Sequence, residues 1–336
     1  MLLKNIMIEA LATLLFISMG LVLIWKGSDW MTDSLVPVAK TLGTSYIAIA
    51  SLLVSIMLSI PEIFTSIYSY MAGYLDISLG VIIGSIMCNI GLMTGLSAII
   101  KPLHVDREVV VRDGILALSI VGILFALGLD LNYSKAEGAS LLILFIPYAL
   151  NVWFFEKWKD KREKTAKLQE LEDDLSHIGF GPFKLKPGVV TFFLGTVLML
   201  IGSYFFSSGL VNIAELTNIP SVIIGLTVGA IGPTIPNIIS AVQGTLKNYK
   251  TIAITETFGS NIFTMLVTLG LVVVMKPVQI SSKILYFDIT WMGVMHLLMI
   301  LFILKGFIAK ESAITRSEGA ALIVFYFVLL VVNVFF

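Results

Sequence analysis

Charge is what this sequence has least of. Asp, Glu, Lys and Arg make up 13% of its 336 residues, about half the share of an ordinary soluble domain. The 22 basic residues cancel the 22 acidic ones, so there is no basic surplus for nucleic acid to bind, and nucleic acid is set aside as a partner. A single cysteine, Cys88, excludes an internal disulfide. The three histidines, His104, His177 and His296, are scattered along the chain with no nucleophile–base pair and no metal-ligand spacing around them. That argues against an enzyme, and no motif calls for a cofactor.

Apolar residues are what the chain has instead. At 57% hydrophobic and a mean hydropathy of +0.98, it is far too apolar for a soluble domain. It reads as an all-α integral membrane protein whose solvent is the lipid bilayer. Runs long enough to cross a membrane lie near 6–25, 34–58 continuing through 61–72, 78–100, 113–130, 137–155, 188–208, 219–246, 252–275, 284–304 and 317–335, a count of ten. The first is too long for a secretory leader and lacks a small-residue cleavage pattern, so it is read as a span. The one long polar segment, 156–187, is rich in lysine and arginine, and so is read as cytoplasmic. Its KLQELEDDL stretch reads as an amphipathic connector. Five spans on either side of it then put both termini outside. The loop His104–Asp113, with Arg107 and Arg112, falls on the same cytoplasmic side.

The halves on either side of that segment repeat each other. SIPEIFTSIYSY, starting at Ser59, aligns without a gap on TIPNIISAVQGT, starting at Thr234, at an offset of 234 − 59 = 175. At the same offset Gly27–Ser28 meets Gly202–Ser203, Gly84–Ser85 meets Gly259–Ser260, and Lys101–Pro102 meets Lys276–Pro277. A second echo, AEGA at Ala136 against SEGA at Ser317, opens the last span of each half. The organisation implied is a first five-helix repeat over 1–155, a linker over 156–187, and a second five-helix repeat over 188–336. Because five is odd, the two copies lie in opposite orientations, the plan of many secondary transporters.

In that plan the paired interruptions of corresponding spans mark the substrate site. Pro61 and Pro236 form such a pair, each expected to break its helix and free a main-chain carbonyl. Each proline is followed by an oxygen-bearing side chain, Glu62 or Asn237. A carboxylate in a span costs at least ~2.5–3.5 kcal/mol on insertion scales, which points to function. The following helices add more oxygen: Ser85 and Asn89 share a face at a spacing of four, as do Glu256, Ser260 and Thr264. An all-oxygen set suits hard inorganic cations. For the hydroxyl and amide residues taken singly, hydrogen bonding between helices is the alternative, and for Gly84 and Gly259 close packing. His296, in an apolar span, reads as a hydrogen-bonded packing residue.

The pattern SIPEIFTS followed by GSIMCNIG, with its echo TIPNIIS followed by TETFGSN, resembles the two alpha-repeats of the cation/calcium exchanger superfamily, especially its prokaryotic sodium/calcium exchangers. The resemblance covers nearly the whole chain and implies an antiporter exchanging sodium, or in some branches protons or potassium, for calcium. It implies a central site made from Ser59, Glu62, Ser85, Asn89, Thr234, Glu256, Ser260 and Asn261, with Asn237 and Thr264 beside them. Several positions depart from the family. The family usually reads Gly-Thr-Ser-x-Pro-Glu in both repeats, whereas Leu58 and Pro233 stand here in place of its threonines, and Asn237 stands in place of its second glutamate. Val81, Ile86 and Thr264 stand where asparagines are usual, and Glu256 where asparagine or aspartate is.

Charge then bears on the choice of ion. Ca²⁺ takes six to eight oxygens and commonly several carboxylates. With Glu62 alone a bound Ca²⁺ keeps a net positive charge; with Glu256 turned inward the charges balance. The reading that the resemblance implies is a Na⁺/Ca²⁺-type antiporter. Two alternatives stay open: a monovalent cation/H⁺ exchanger without a calcium site, and a non-transporting or channel-like protein on the same scaffold.

Overall fold

The computed structural model describes residues 2–41, 56–105, 107–158, 185–247, 252–309 and 314–335, and nearly all of them are helical. In chain order the helices are α1 Leu2–Thr41, α2 Ile60–Met71, α3 Leu75–Ile100 and α4 Val110–Asp130, and α5 Lys135–Trp158. They continue as α6 Val189–Leu216, α7 Ser221–Leu246, α8 Ala253–Met275 and α9 Ile284–Gly306, and α10 Arg316–Phe335. Among the described residues, nine helices are long and apolar enough to span a bilayer. The other, α2, has 12 residues. Positions 42–55, expected to carry the earlier part of its span, lie outside the described residues, as do 159–184 of the polar linker.

Burial sorts the helices into an inner and an outer set. In the most apolar stretch of α3, 94% of residues are buried, against 78% in α8, 61% in α7 and only 17% in α1. An outer helix can leave apolar side chains exposed because its neighbour is lipid, so Leu11, Leu14, Val22, Val190 and Phe193 face outward at little cost. Where the inner helices cross, small residues bring the backbones together. A Cβ added to Gly80 of α3 would come within 2.6 Å of the Val222 carbonyl and 2.8 Å of Gly225 Cα on α7.

Several contacts recur at the offset seen in the sequence. A Cβ on Gly27 of α1 would lie 2.6 Å from the Gly195 carbonyl of α6, and one on Gly202 would lie 2.9 Å from the Gly20 carbonyl, with 202 − 27 = 195 − 20 = 175. Gly95 meets the Gly319 carbonyl in the same way, and Gly270 meets that of Gly138. The short strands β1 Asn132–Tyr133 and β2 Val278–Gln279 pair antiparallel, with Tyr133 opposite Val278. An isolated bridge joins Leu103 to Ile314; here 278 − 103 = 175, while 314 − 133 = 181. Capping boxes start α5 and α10: Ser134 N–H donates to Glu137 at 2.7 Å and Thr315 N–H to Glu318 at 2.8 Å. Single π-helical turns fall at Asn89–Thr94 and Thr264–Thr268, and again at Val110–Gly114 and Ile284–Ile289.

Two expectations are corrected. The polar cluster at 26–33 was expected to end the first span, yet α1 runs through it without a break. Two of its charges and one hydroxyl are engaged within the helix: Lys26 pairs with Asp29 and the Thr32 hydroxyl donates to the Ser28 carbonyl at 2.7 Å. The second correction concerns Pro236. In the first half the helix is interrupted at Ser59, and Pro61 sits in the first turn of α2, where a missing N–H is harmless. In the second half Pro233 and Pro236 lie inside the continuous helix Ala230–Leu246. The irregularity there is a π-helical turn at Gly225–Gly229, just before them, and such turns let a helix absorb a defect without ending.

Candidate ion-binding site

Glu62 is in the first turn of α2 and is 1% exposed. One carboxylate oxygen, Oε1, is reached from α7 by the Asn237 amide N–H at 3.4 Å and the Thr234 hydroxyl at 3.4 Å. Both contacts are long, and the Thr234 hydroxyl also donates to the Ala230 carbonyl at 2.7 Å, so its single proton is mainly engaged there. The second oxygen, Oε2, is buried without a hydrogen-bond partner, as is Oδ1 of Asn237. A buried carboxylate this thinly solvated by the protein calls for a cation or a proton.

A second group of oxygens lies where α3 meets α8. The Asn89 amide donates to Asn261 Oδ1 at 3.1 Å, and Oδ1 of Asn89 is buried without a partner. Asn89 opens the π-helical turn of α3 and Thr264 opens that of α8; widened turns of this kind re-aim side chains and are frequent at functional sites. Thr257 of α8 braces the pair, its hydroxyl 2.6 Å from that of Thr94. On α8 the Ser260 hydroxyl has no partner. The Ser85 hydroxyl donates to the Ile82 carbonyl of its own helix at 3.1 Å.

Of the residues named from the sequence, Glu62, Thr234 and Asn237 are thus brought together, as are Asn89 and Asn261. Ser59, Ser85, Glu256, Ser260 and Thr264 are buried too, Glu256 at 5% exposure and the others at 1% or less. The Ser59 carbonyl accepts the Ile63 N–H at 3.1 Å, restarting the helix after the interruption. Among the described residues no three of His, Cys, Asp and Glu cluster as a metal site.

The structure adds residues that sequence reasoning missed. Thr65 and Ser66, one turn after Glu62, are fully buried with unpartnered hydroxyls, and Ser69 meets Ser207 of α6 at 2.9 Å. Their spacing from Glu62, three, four and seven, was the available signal. Two buried acids, Asp113 and Asp288, stand at the same offset, 288 − 113 = 175. Arg112 grips Asp113 with two 2.7 Å bonds, and Asn333 donates to Asp288 at 2.9 Å.

Comparisons with known proteins bear on the family and the fold. A family model described as "Sodium/calcium exchanger protein" matches residues 12–154 and 187–335. The chain is 29% identical over 345 residues to the sodium/calcium exchanger MaX1 of Methanosarcina acetivorans, covering 95% of this chain and 97% of that one. It is 30% identical over 315 residues to the membrane protein MJ0091 of Methanocaldococcus jannaschii, covering 92% and 94%. Among solved structures, the sodium/calcium exchanger from Methanococcus jannaschii superposes with a TM-score of 0.63 and 26% identity, over 96% of this chain and 98% of that one.

Proposed function

Since the chain belongs to the sodium/calcium exchanger family, we propose that it is a membrane antiporter coupling sodium to calcium-type cations by competition for one central site whose acid is Glu62. The observation that carries this reading is the Glu62 carboxylate itself, buried between helices with Oε2 unpartnered. In this reading Ser59, Ser85, Asn89, Thr234, Asn237, Ser260, Asn261 and Thr264 furnish neutral oxygens around it, and Glu256, when turned toward the site, furnishes the second acid. MaX1, by its name, exchanges sodium and calcium, and this chain aligns with it over 95% of its own length and 97% of that of MaX1.

The same reading includes ten spans in two inverted five-helix repeats, 1–155 and 188–336, joined by the linker 156–187. The contacts that recur at offsets of 175 and 181 support it, among them the glycine crossings of α1 with α6. So do the two blocks matched by the family model, which leave out 155–186. Inversion requires the loop after α4 to share a membrane face with the loop after α8, and the loop after α3 to share the other face with the loop after α9. The pairing of β1 with β2 and the bridge from Leu103 to Ile314 join those loops. With the basic linker inside, both termini lie outside. Alternating access then follows from movement of α1 and α6 against the remaining helices.

A second reading has a specific observation behind it. Asn237 presents an N–H to Glu62, at the position where the family places a glutamate, so the site is one acid short for a divalent ion unless Glu256 supplies it. A monovalent cation/H⁺ exchange answers that deficit. Flux in proteoliposomes decides between the readings: an imposed sodium gradient drives ⁴⁵Ca²⁺ uptake in the wild type and not in Glu62→Gln, and Glu256→Gln abolishes calcium but not sodium movement. Gradient-driven proton movement without calcium moves the assignment to the second reading. Absence of any gradient-driven cation flux refutes both and leaves the non-transporting or channel-like alternative.

A further inference from the structure

His296 lies in α9, outside the group of helices that contribute oxygens to the site, and it is fully buried. Its two ring nitrogens are both engaged. Nδ1 is 2.9 Å from the Met292 carbonyl; a carbonyl can only accept, so Nδ1 carries the hydrogen. Nε2 is 3.3 Å from the Asn261 amide nitrogen, which can only donate, so Nε2 presents its lone pair. Asn261 in turn uses its oxygen to accept from the Asn89 amide nitrogen at 3.1 Å, and the chain ends at Asn89 Oδ1, which is buried and takes no hydrogen from the protein.

Every bond in this series has its direction set by the Met292 carbonyl at one end. A carboxamide is nearly symmetrical in shape, so packing alone does not tell its oxygen from its nitrogen. The acceptor at His296 Nε2 makes that choice for Asn261, and Asn261 makes it for Asn89. With the acceptor removed, Asn261 can turn over, offer N–H to Asn89, and turn the Asn89 amide so that a nitrogen stands where the free oxygen was. An N–H is repelled by a cation that the oxygen would ligate.

We propose that His296 is a positioning residue for exchange: by accepting the Asn261 N–H it holds the Asn89 carboxamide with its oxygen, rather than its nitrogen, free to take the transported cation. The inference rests on the assignment of Asn89 to the central site and adds to it a residue from a helix that lends the site no ligand of its own.

The test uses the full chain reconstituted in proteoliposomes, with half-saturating concentrations read for ⁴⁵Ca²⁺ and ²²Na⁺ and maximal rates read beside them. His296→Leu removes the acceptor; His296→Gln restores one, its side-chain carbonyl reaching the place of Nε2. Losing one oriented ligand raises the half-saturating concentration about tenfold in His296→Leu, with the maximal rate kept within about twofold, and His296→Gln returns it to within about threefold of wild type. If His296→Leu does not fold, His296→Ile serves as the acceptor-free partner in the same comparison. Wild-type saturation in the acceptor-free variant overturns the proposal. So does a Gln variant as impaired as the apolar one, since volume rather than the acceptor then matters. Glu62→Gln separates the two levels: if it exchanges like wild type, the central-site reading itself falls, whereas a dead Glu62→Gln beside a wild-type His296→Leu removes the positioning role alone.

Discussion

Replacing Glu62 by Gln should uncouple the stability of the protein from its cations. The side chain keeps its size, and its amide can still meet Asn237 and Thr234, which are 3.4 Å from the carboxylate in the native chain. What disappears is a buried negative charge whose Oε2 has no hydrogen-bond partner. Removing one partner from a buried charge pair costs about 3–5 kcal/mol, here a loss of cation affinity of at least about a hundredfold at roughly 1.4 kcal/mol per decade. Without cation the balance reverses, because the variant no longer has to bury a lone charge, and the apo protein should melt at or above the wild-type temperature. At a cation concentration about a hundred times its dissociation constant the wild type gains about 2.7 kcal/mol of stability from binding, whereas a variant weakened a hundredfold gains about 0.4 kcal/mol. Thermal melting of the purified protein in detergent, titrated with Ca²⁺ and with Na⁺, reads both effects. A Glu62→Gln protein that is stabilised by cation as strongly as the wild type would refute the assignment of Glu62 as the site's acid.

Other perturbations follow from the same geometry. Asn237→Glu places a second carboxylate beside Glu62 and should raise the preference for Ca²⁺ over Na⁺ by an order of magnitude or more, read as the sodium concentration needed to displace ⁴⁵Ca²⁺. Gly80→Ala drives a Cβ to within 2.6 Å of the Val222 carbonyl and should cost about 1–3 kcal/mol or prevent folding, seen in melting temperature and folded yield. In Gly122→Ala nothing lies within 4 Å of the new Cβ, so the same measurement should show stabilisation of about 0.5–1 kcal/mol through helix propensity. Asn333→Leu strips Asp288 of its 2.9 Å donor and should lower stability by about 1–3 kcal/mol, with sodium and calcium half-saturation unchanged because that pair lies outside the proposed site.

The lysine and aspartate at Lys26 and Asp29 show how far local reading reaches. As a cluster in the chain they look like the end of a span; in the structure they neutralise each other within one helix of 40 residues. Pro236 teaches the same lesson from the other side. Proline chemistry predicts a break, but the helix runs on through Pro236, and the irregularity lies in the π-helical turn at Gly225–Gly229, where Gly225 and Leu226 lie close against Gly80 and Gly84 of α3. Thr65 and Ser66 were legible by spacing and passed over, because hydroxyls in apolar spans are usually spoken for by their own helix.

By itself the sequence determined the membrane character, most of the span boundaries, the duplicated register and the single carboxylate of the SIPE motif. All of these depend on composition and on positions compared along one chain. Which polar atoms are satisfied was decided only by tertiary structure, because a hydrogen bond between α2 and α7, or between α3 and α8, joins residues more than 170 positions apart. The role of His296 is of that kind. In the chain it is an isolated histidine among leucines and methionines; in the fold its ring lies 3.3 Å from the Asn261 amide nitrogen, where it can set the direction of the Asn261–Asn89 amide pair.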